Sequence, residues 1–194
     1  MRKVVLLCAS PRKGGNTDLM AEAFGRGAAA AGAEVEKIYL DDYFIRPVAH
    51  LADEPTMRVD LRADDDVPKL LDKVLAADIV LFASPVYWAG VAGQLKCFMD
   101  RWSCYEGQEH FSDAMRRKVY AVVTAHGSPL PEMGDYVIGP LRDTAAYLGG
   151  HYAGEVNFAG AKYAAVAERE EVLAECEALG RRAVELSRDI ASVG

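Results

Sequence analysis

Cysteine and histidine are scarce in this sequence of 194 residues, which contains four of each. The cysteines are Cys8, Cys97, Cys104 and Cys176; they are widely separated and form no C-x-x-C pair. The histidines show no metal-ligand spacing either, so the sequence argues against a metal or cluster site. Apolar neighbours predict that Cys8, Cys97 and Cys176 are small core residues, whereas Cys104 is predicted to be exposed.

The sequence also lacks a block of lysine and arginine, and no apolar run is long enough to cross a bilayer. Its formal net charge is -7. These absences predict that the protein binds neither nucleic acid nor a membrane surface. The N-terminal apolar run from Val4 to Leu7 is too short for a signal peptide. The chain is therefore interpreted as one cytoplasmic domain over residues 1–194.

Strand-like apolar runs alternate with helical patterns along the whole chain. The strand candidates are Val4–Ala9, Glu34–Leu40, Ile79–Ala83, Val119–Thr124 and His151–Phe158. The helix candidates are Thr17–Ala31, Asp66–Ala76, Val91–Trp102, Pro131–Leu148 and Ala167–Ala191. Several strand candidates are almost continuously apolar, as is typical of strands covered on both faces. The pattern predicts an α/β fold with a doubly wound, five-stranded parallel sheet and helices on both faces.

Two connections, residues 41–65 and 103–117, are longer than a compact α/β domain needs. Both contain aromatic residues among charged ones. Such loops serve as lids or subunit contacts, and a solvated excursion is the alternative interpretation.

The first strand candidate runs directly into a glycine-bearing loop, Ser10–Thr17, which a helical pattern follows. Loop amides and the positive end of a helix dipole together bind anions. Arg12 can add a charge-assisted contact, and Ser10, Asn16 and Thr17 can donate hydrogen bonds. The loop predicts a phosphate site; simple capping of the helix by Asn16 or Thr17 is the alternative.

Ligands of doubly wound sheets bind at the carboxyl ends of the strands. The loops after the third and fourth strands are therefore expected to form one site together with the Ser10–Thr17 loop. The third strand is followed by Pro85, Val86, Tyr87 and Trp88, whose aromatic rings offer a flat wall to a planar heteroaromatic ligand. Two aromatics that merely cover the core are the alternative. The fourth strand is followed by a turn of small residues, 124–128, which contains one imidazole.

The chain resembles the NADPH-dependent FMN reductase family in three motifs. They are Ser10-Pro11-Arg12-x-Gly14-Gly15-Asn16-Thr17, Pro85-Val86-Tyr87-Trp88 and Gln94-Leu95-Lys96-x-x-x-Asp100-Arg101. The family comprises flavodoxin-like NAD(P)H oxidoreductases that reduce flavins, quinones and azo compounds. The resemblance extends over nearly the whole chain and implies a flavodoxin-like sheet with the strand order 2-1-3-4-5.

Residue by residue, the resemblance implies an FMN site made of three loops. Around the phosphate it places Ser10, Arg12, Asn16 and Thr17, with a backbone amide from Gly15. Along the ribityl chain and one side of the isoalloxazine it places Pro85, Val86, Tyr87 and Trp88. Near the pyrimidine end it places Thr124, His126 and Gly127. The flavin carries the chemistry, so no catalytic side chain is required, although His126 is a candidate.

The implied activity is hydride transfer from NAD(P)H through FMN to a small-molecule acceptor such as a quinone or a flavin. The alternative is a flavodoxin-like electron carrier that serves protein partners. Tyr43, Tyr105 and Phe111, from the two long connections, are candidates for the far wall of the site, contributed either by the same chain or by a second subunit. A homodimer or higher homo-oligomer is expected. The sequence does not decide between NADH and NADPH.

Two further expectations depend on the resemblance. Some relatives carry an iron–sulfur cluster on cysteines after the second strand, but Ile45–Ala52 contains no cysteine. FMN without a cluster is therefore expected. Lys96, Asp100 and Arg101 are interpreted as structural or interfacial, because Lys96 and Asp100 have the i,i+4 spacing of a helical ion pair.

Overall fold

Five parallel strands form the sheet in a computed structural model that describes residues 1–49 and 60–193. The strands are β1 (Lys3–Cys8), β2 (Glu34–Tyr39), β3 (Ile79–Pro85), β4 (Val119–His126) and β5 (His151–Ala159). Their order is β2-β1-β3-β4-β5. The predicted flavodoxin-like α/β fold and its strand order 2-1-3-4-5 are confirmed.

In the part of the chain that the structure describes, six α-helices connect and cover the strands. They are α1 (Asn16–Ala30), α2 (Val67–Ala76), α3 (Gly93–Asp100), α4 (Glu109–Arg116), α5 (Asp135–Tyr147) and α6 (Glu170–Val193). The interpretation of residues 103–117 as a long loop is wrong, because this stretch contains a 3-10 turn and α4. Helix α4 has only eight residues and buries only Phe111 and Met115, too few for a clear sequence pattern.

Apolar layers cover the sheet on both faces, as predicted. One layer packs α2, α3, α4 and α5 against one face, and the other packs α1 and α6 against the opposite face. The central strands β1, β3 and β4 are buried almost throughout, whereas the edge strand β2 alternates between exposed and partly buried residues. Continuous apolar runs therefore mark the central strands.

Arg101 lies fully buried directly after α3 and ties together the described ends of the 41–65 connection. Its guanidinium donates to Asp65 at 2.7 Å, to Asp60 at 2.5 Å and to the backbone carbonyl of Arg46 at 3.1 Å. Tyr105 donates its hydroxyl hydrogen to the same Asp60 at 2.8 Å. The structural interpretation of Arg101 is thus supported, and Lys96 and Asp100 form the expected ion pair.

Residues 50–59 belong to the 41–65 connection, whose role the sequence left open, and residues 50–52 also belong to the cysteine-free stretch Ile45–Ala52. They lie outside the described residues. The prediction that Cys104 is exposed is wrong, since only 1% of it is accessible. Cys8 and Cys176 are buried as expected, and Cys97 is half-buried. Among the residues described, no helix has the length and apolar character needed to cross a membrane.

Lys118 is a buried cation at the start of β4. Its Nζ donates to the backbone carbonyls of Leu75, at 3.0 Å, and Ala77, beside the C-terminus of α2. Burial lowers the pKa of Lys118 to about 8, and the nearby Asp78 carboxylate opposes that shift. A neutral amine still carries two hydrogens, which is enough for both bonds.

A pH-dependent difference in stability is expected between the wild type and Lys118→Met. The ordinary pKa of lysine is 10.5, so between pH 8 and 10.5 the unfolded chain binds more protons than the folded one. The free energy of unfolding of the wild type should therefore increase relative to that of Lys118→Met, by about 2 kcal/mol between pH 8 and 10. Urea unfolding of both proteins over this range measures the difference.

The comparison with Lys118→Met is needed because buried thiols titrate in the opposite sense. Burial raises the pKa of Cys8 and of Cys176 to about 12, so their contribution to stability falls as the pH rises through 9. These thiols are present in both proteins and cancel in the difference. Parallel stability profiles for the wild type and the variant would contradict the lowered lysine pKa.

Candidate functional site

The carboxyl ends of β1, β3 and β4 open onto one cleft, whose open space, solvent included, is about 510 Å³. Ten of the twelve predicted cofactor-binding residues line it: Ser10, Arg12, Gly15, Asn16, Thr17, Pro85, Val86, Tyr87, His126 and Gly127. Trp88 and Thr124 do not. The doubly wound sheet thus brings three separate sequence motifs to one edge.

The loop after β1 presents hydrogen-bond donors to the cleft. Helix α1 begins at Asn16, so the N–H groups of its first turn have no acceptor within the helix. The Ser10 hydroxyl oxygen accepts the Arg12 N–H at 3.1 Å, which leaves its own hydrogen free to be donated. The Gly14 N–H donates to the Asp18 carboxylate at 2.6 Å, and Gly14 adopts a left-handed φ of 75°. The loop is therefore fixed in a shape that only glycine adopts readily at that turn.

Asn16 lines the same cleft, but its side chain makes its hydrogen bonds to the loop that follows β5. Its Nδ2 donates to the carbonyls of Gly160 at 3.1 Å and Lys162 at 3.0 Å. Its Oδ1 accepts the N–H of Val166 at 3.0 Å. The N-cap residue of α1 is Gly15, which has no side chain, and the Asn16 side chain bonds to residues 160–166 instead, so capping of the helix by Asn16 is not what the structure shows.

The loop after β3 makes a tight turn between Tyr87 and Gly90, with mutual backbone hydrogen bonds of 2.9 and 3.1 Å. The two central residues, Trp88 and Ala89, have φ values of 50° and 56°. This geometry turns Trp88 away from the cleft into solvent, where its side chain is fully exposed. Pro85, Val86 and Tyr87 remain as the wall on this side.

His126 at the end of β4 is 5% exposed and lines the cleft. Within the described part of the chain, neither of its ring nitrogens has a hydrogen-bond partner, and the same holds for the hydroxyl oxygen of Thr124. A buried imidazole without partners is costly unless a ligand or water completes its bonding. The ring thus favours a bound group with a polar edge at this end of the cleft.

A fourth loop was missed by the sequence interpretation. Gly160, Ala161, Lys162 and Tyr163, between β5 and α6, also line the cleft, together with Ala125 of β4. Their residue types carry no motif, and only their place at the carboxyl end of a strand could have indicated them.

The three aromatic candidates for a far wall lie elsewhere in this structure. Phe111 is buried in the core layer under α4, so its assignment to the wall is wrong. Tyr105 packs on Phe111 with ring centroids 6.4 Å apart, and Tyr43 packs against the same layer. The apolar face of α4 buries Phe111, and Tyr43 and Tyr105, which lie outside α4, pack partly buried against the same layer.

Charge distinguishes the cleft from the rest of the molecule. Its described lining contains two cations, Arg12 and Lys162, and no carboxylate, although the formal net charge of the chain is -7. Both cations adjoin the N-terminus of α1, whose dipole also favours anions. With the partnerless imidazole of His126 at the other end, the lining fits a ligand with a phosphate tail and a polar ring.

Comparison with known proteins agrees with this geometry. The profile of a family described as NADPH-dependent FMN reductase matches residues 2–165. An NAD(P)H-dependent FMN-containing oxidoreductase of Bacillus subtilis, YwqN, is 32% identical over 132 residues, which cover 66% of this chain and 68% of that protein. An iron–sulfur flavoprotein of Methanocaldococcus jannaschii is 37% identical over 101 residues, 51% of each chain.

Among solved structures, RosB with a bound formylated flavin phosphate superposes with a TM-score of 0.82 at 14% identity. The match covers 99% of this chain and 81% of RosB. At this identity the likeness shows the fold alone.

Proposed function

Because this chain belongs to the NADPH-dependent FMN reductase family, we propose that it binds FMN in the cleft at the carboxyl ends of β1, β3 and β4. Membership makes the protein an oxidoreductase and disfavours the electron carrier that serves protein partners. The observation that carries the proposal is the charge of the cleft, which is cationic within an acidic chain.

The residues have distinct tasks in this proposal. Arg12 and the first N–H groups of α1 bind the phosphate, with the Ser10 hydroxyl as a further donor. Pro85, Val86 and Tyr87 orient the ring system. A ring N–H of His126 donates a hydrogen bond to the polar edge of the ligand's ring system, where a donor favours added electron density.

When bound, FMN supplies hydride transfer from NAD(P)H to a second substrate. The acceptor that we propose is a small planar molecule, a quinone, a flavin or a similar aromatic compound. Tyr87, 38% exposed at the mouth of the cleft, offers such a molecule a stacking surface. The nicotinamide and the acceptor are expected to use this mouth in turn, which predicts ping-pong kinetics.

An absorbance titration of the purified protein with FMN tests the cofactor. Saturable binding with flavin bands is expected, followed by oxidation of NADPH or NADH in the presence of a naphthoquinone. Comparing the two nucleotides identifies the preferred donor. A protein that shows no saturable FMN binding would overturn the proposal.

Replacing Arg12 by methionine is expected to weaken FMN binding by about 1.5 to 3 kcal/mol, roughly 10- to 100-fold, because a charge-assisted bond is lost. Riboflavin lacks the phosphate, so its affinity should not change. The matched control is Arg181→Met, an exposed arginine on α6 that does not line the cleft. Equal weakening of FMN and riboflavin by Arg12→Met would remove Arg12 from the phosphate.

A further inference from the structure

The loop between β5 and α6, residues 160–166, bridges the two ends of the cleft. Toward β4, the Gly160 N–H donates to the His126 carbonyl at 2.8 Å. A Cβ added to Gly127 would lie 3.3 Å from Ala161, so the two loops are in contact. Toward β1, the Tyr163 hydroxyl donates to the Lys13 carbonyl. Residues 160–163 thus form a fourth wall between the predicted phosphate end and His126.

Asn16 is the main connection between this loop and the phosphate loop. Its carboxamide has two hydrogens to donate, and both go to loop carbonyls, those of Gly160 and Lys162. Its oxygen accepts the Val166 N–H, at the beginning of the 3-10 turn before α6. The side chain therefore has no hydrogen left to give to a phosphate.

We infer that Asn16 is a positioning residue, which acts on the cofactor by holding residues 160–163 as the fourth wall of the site. The inference rests on the proposed function and reassigns Asn16 from phosphate ligand to support of the wall. It also explains why an asparagine stands at this place. Three hydrogen bonds to backbone groups 144 to 150 residues away require two donors and an acceptor on one short side chain.

The ratio of FMN to riboflavin affinity separates a ligand from a positioning residue. In Asn16→Ala the wall loses its support, so the affinities for FMN and riboflavin should fall by the same factor, on the order of 10-fold. Arg12→Met serves as the phosphate-specific reference, because it should weaken FMN alone. If Asn16→Ala weakened FMN and left riboflavin unchanged, Asn16 would be a phosphate ligand and the inference would be wrong. Unchanged affinity for both flavins would equally overturn it.

Tyr163→Phe provides a second variant that should fold without difficulty, since Tyr163 is 60% exposed. It removes the hydroxyl that ties the other part of the loop to Lys13. A smaller but parallel loss of FMN and riboflavin affinity, on the order of 2- to 3-fold, is expected. A loss confined to FMN would contradict the assignment of residues 160–163 as a wall.

Amide hydrogen exchange without any flavin tests the support itself. The Val166 N–H should exchange faster in Asn16→Ala than in the wild type, and Arg12→Met should leave its rate unchanged. Unaltered protection of Val166 in Asn16→Ala would overturn the inference. A wild-type protein that binds neither flavin would instead overturn the proposed function, so the two failures are distinguishable.

Discussion

Replacing Arg101 by methionine is expected to lower the free energy of unfolding by about 3 to 5 kcal/mol, the usual cost of removing one partner from a buried ion pair. The side chains of Arg101 and Asp65 are completely buried, and that of Asp60 is 6% exposed. Without the guanidinium, the two buried carboxylates lose their closest cation, and the next one, the Arg46 Nε, lies 3.9 Å from Asp65. Urea unfolding at neutral pH measures the loss.

The pH dependence of this loss has a definite sign. Burial alone would raise the pKa of Asp65, but the bonds from Arg101 and from the Arg46 and Val67 N–H groups hold it below its usual value. In the wild type this carboxylate therefore adds stability above its unfolded pKa, and the contribution is lost as the pH falls. In Arg101→Met the buried Asp65 carboxylate loses the guanidinium that lowers its pKa and takes up a proton more readily, so the difference in stability from the wild type should narrow as the pH falls toward about 4 and below.

Two variants control for loss of packing. Arg101→Lys keeps the charge but not the planar fork, so an intermediate loss of stability is expected. Adding Asp60→Asn and Asp65→Asn to Arg101→Met removes the unpaired charges and should restore part of the stability. If the triple variant were no more stable than Arg101→Met, unpaired charge would not be the cause.

Replacing Gly27 by alanine should destabilise the protein by about 3 kcal/mol or more, at the upper end of the cost of overpacking. An added Cβ would lie 1.9 Å from the backbone oxygen of Glu177, where α1 crosses α6. The reciprocal contact exists at Gly180, whose added Cβ would lie 2.2 Å from the Phe24 oxygen. Because both obstacles are helix backbone, the two helices must separate.

Gly139→Ala is the matched control, since Gly139 lies within α5 and an added Cβ there meets no atom of the described residues within 4 Å. Alanine favours the helix over glycine by about 1 kcal/mol, so this variant should be as stable as the wild type or more so. Thermal unfolding of both variants measures the contrast. Equal melting temperatures would show that the α1–α6 contact tolerates a methyl group.

The packing of α1 against α6 also explains a glycine pattern in the sequence. Gly25-Arg26-Gly27 suggests part of a dinucleotide fingerprint but lies inside α1 rather than before it. Its second glycine serves helix packing in the structure. Glycine spacing alone does not separate close approach to a ligand from close approach of two helices, because both need only the absence of a side chain.

Residues that are close in sequence could be predicted well. The strands and the three loops at one sheet edge follow from apolar runs and from motifs of four to eight residues, and the order 2-1-3-4-5 is what the family resemblance implies. Two side chains within those loops lie elsewhere than the sequence predicts. Trp88 was expected along the ring, but a turn with two left-handed residues points it into solvent. Thr124 was expected near the ring and lies fully buried.

The sequence by itself determined the fold class and the family, and it predicts an anion-binding loop at Ser10–Thr17, because each depends on local patterns of polarity and backbone freedom. Only the tertiary structure decided what Asn16 bonds to, that residues 160–163 form a fourth wall, and that Arg101 neutralises Asp60 and Asp65. Those partners are separated by 36 to 150 residues along the chain. Contact between such partners depends on how the helices pack on the sheet, and no local sequence pattern specifies that packing.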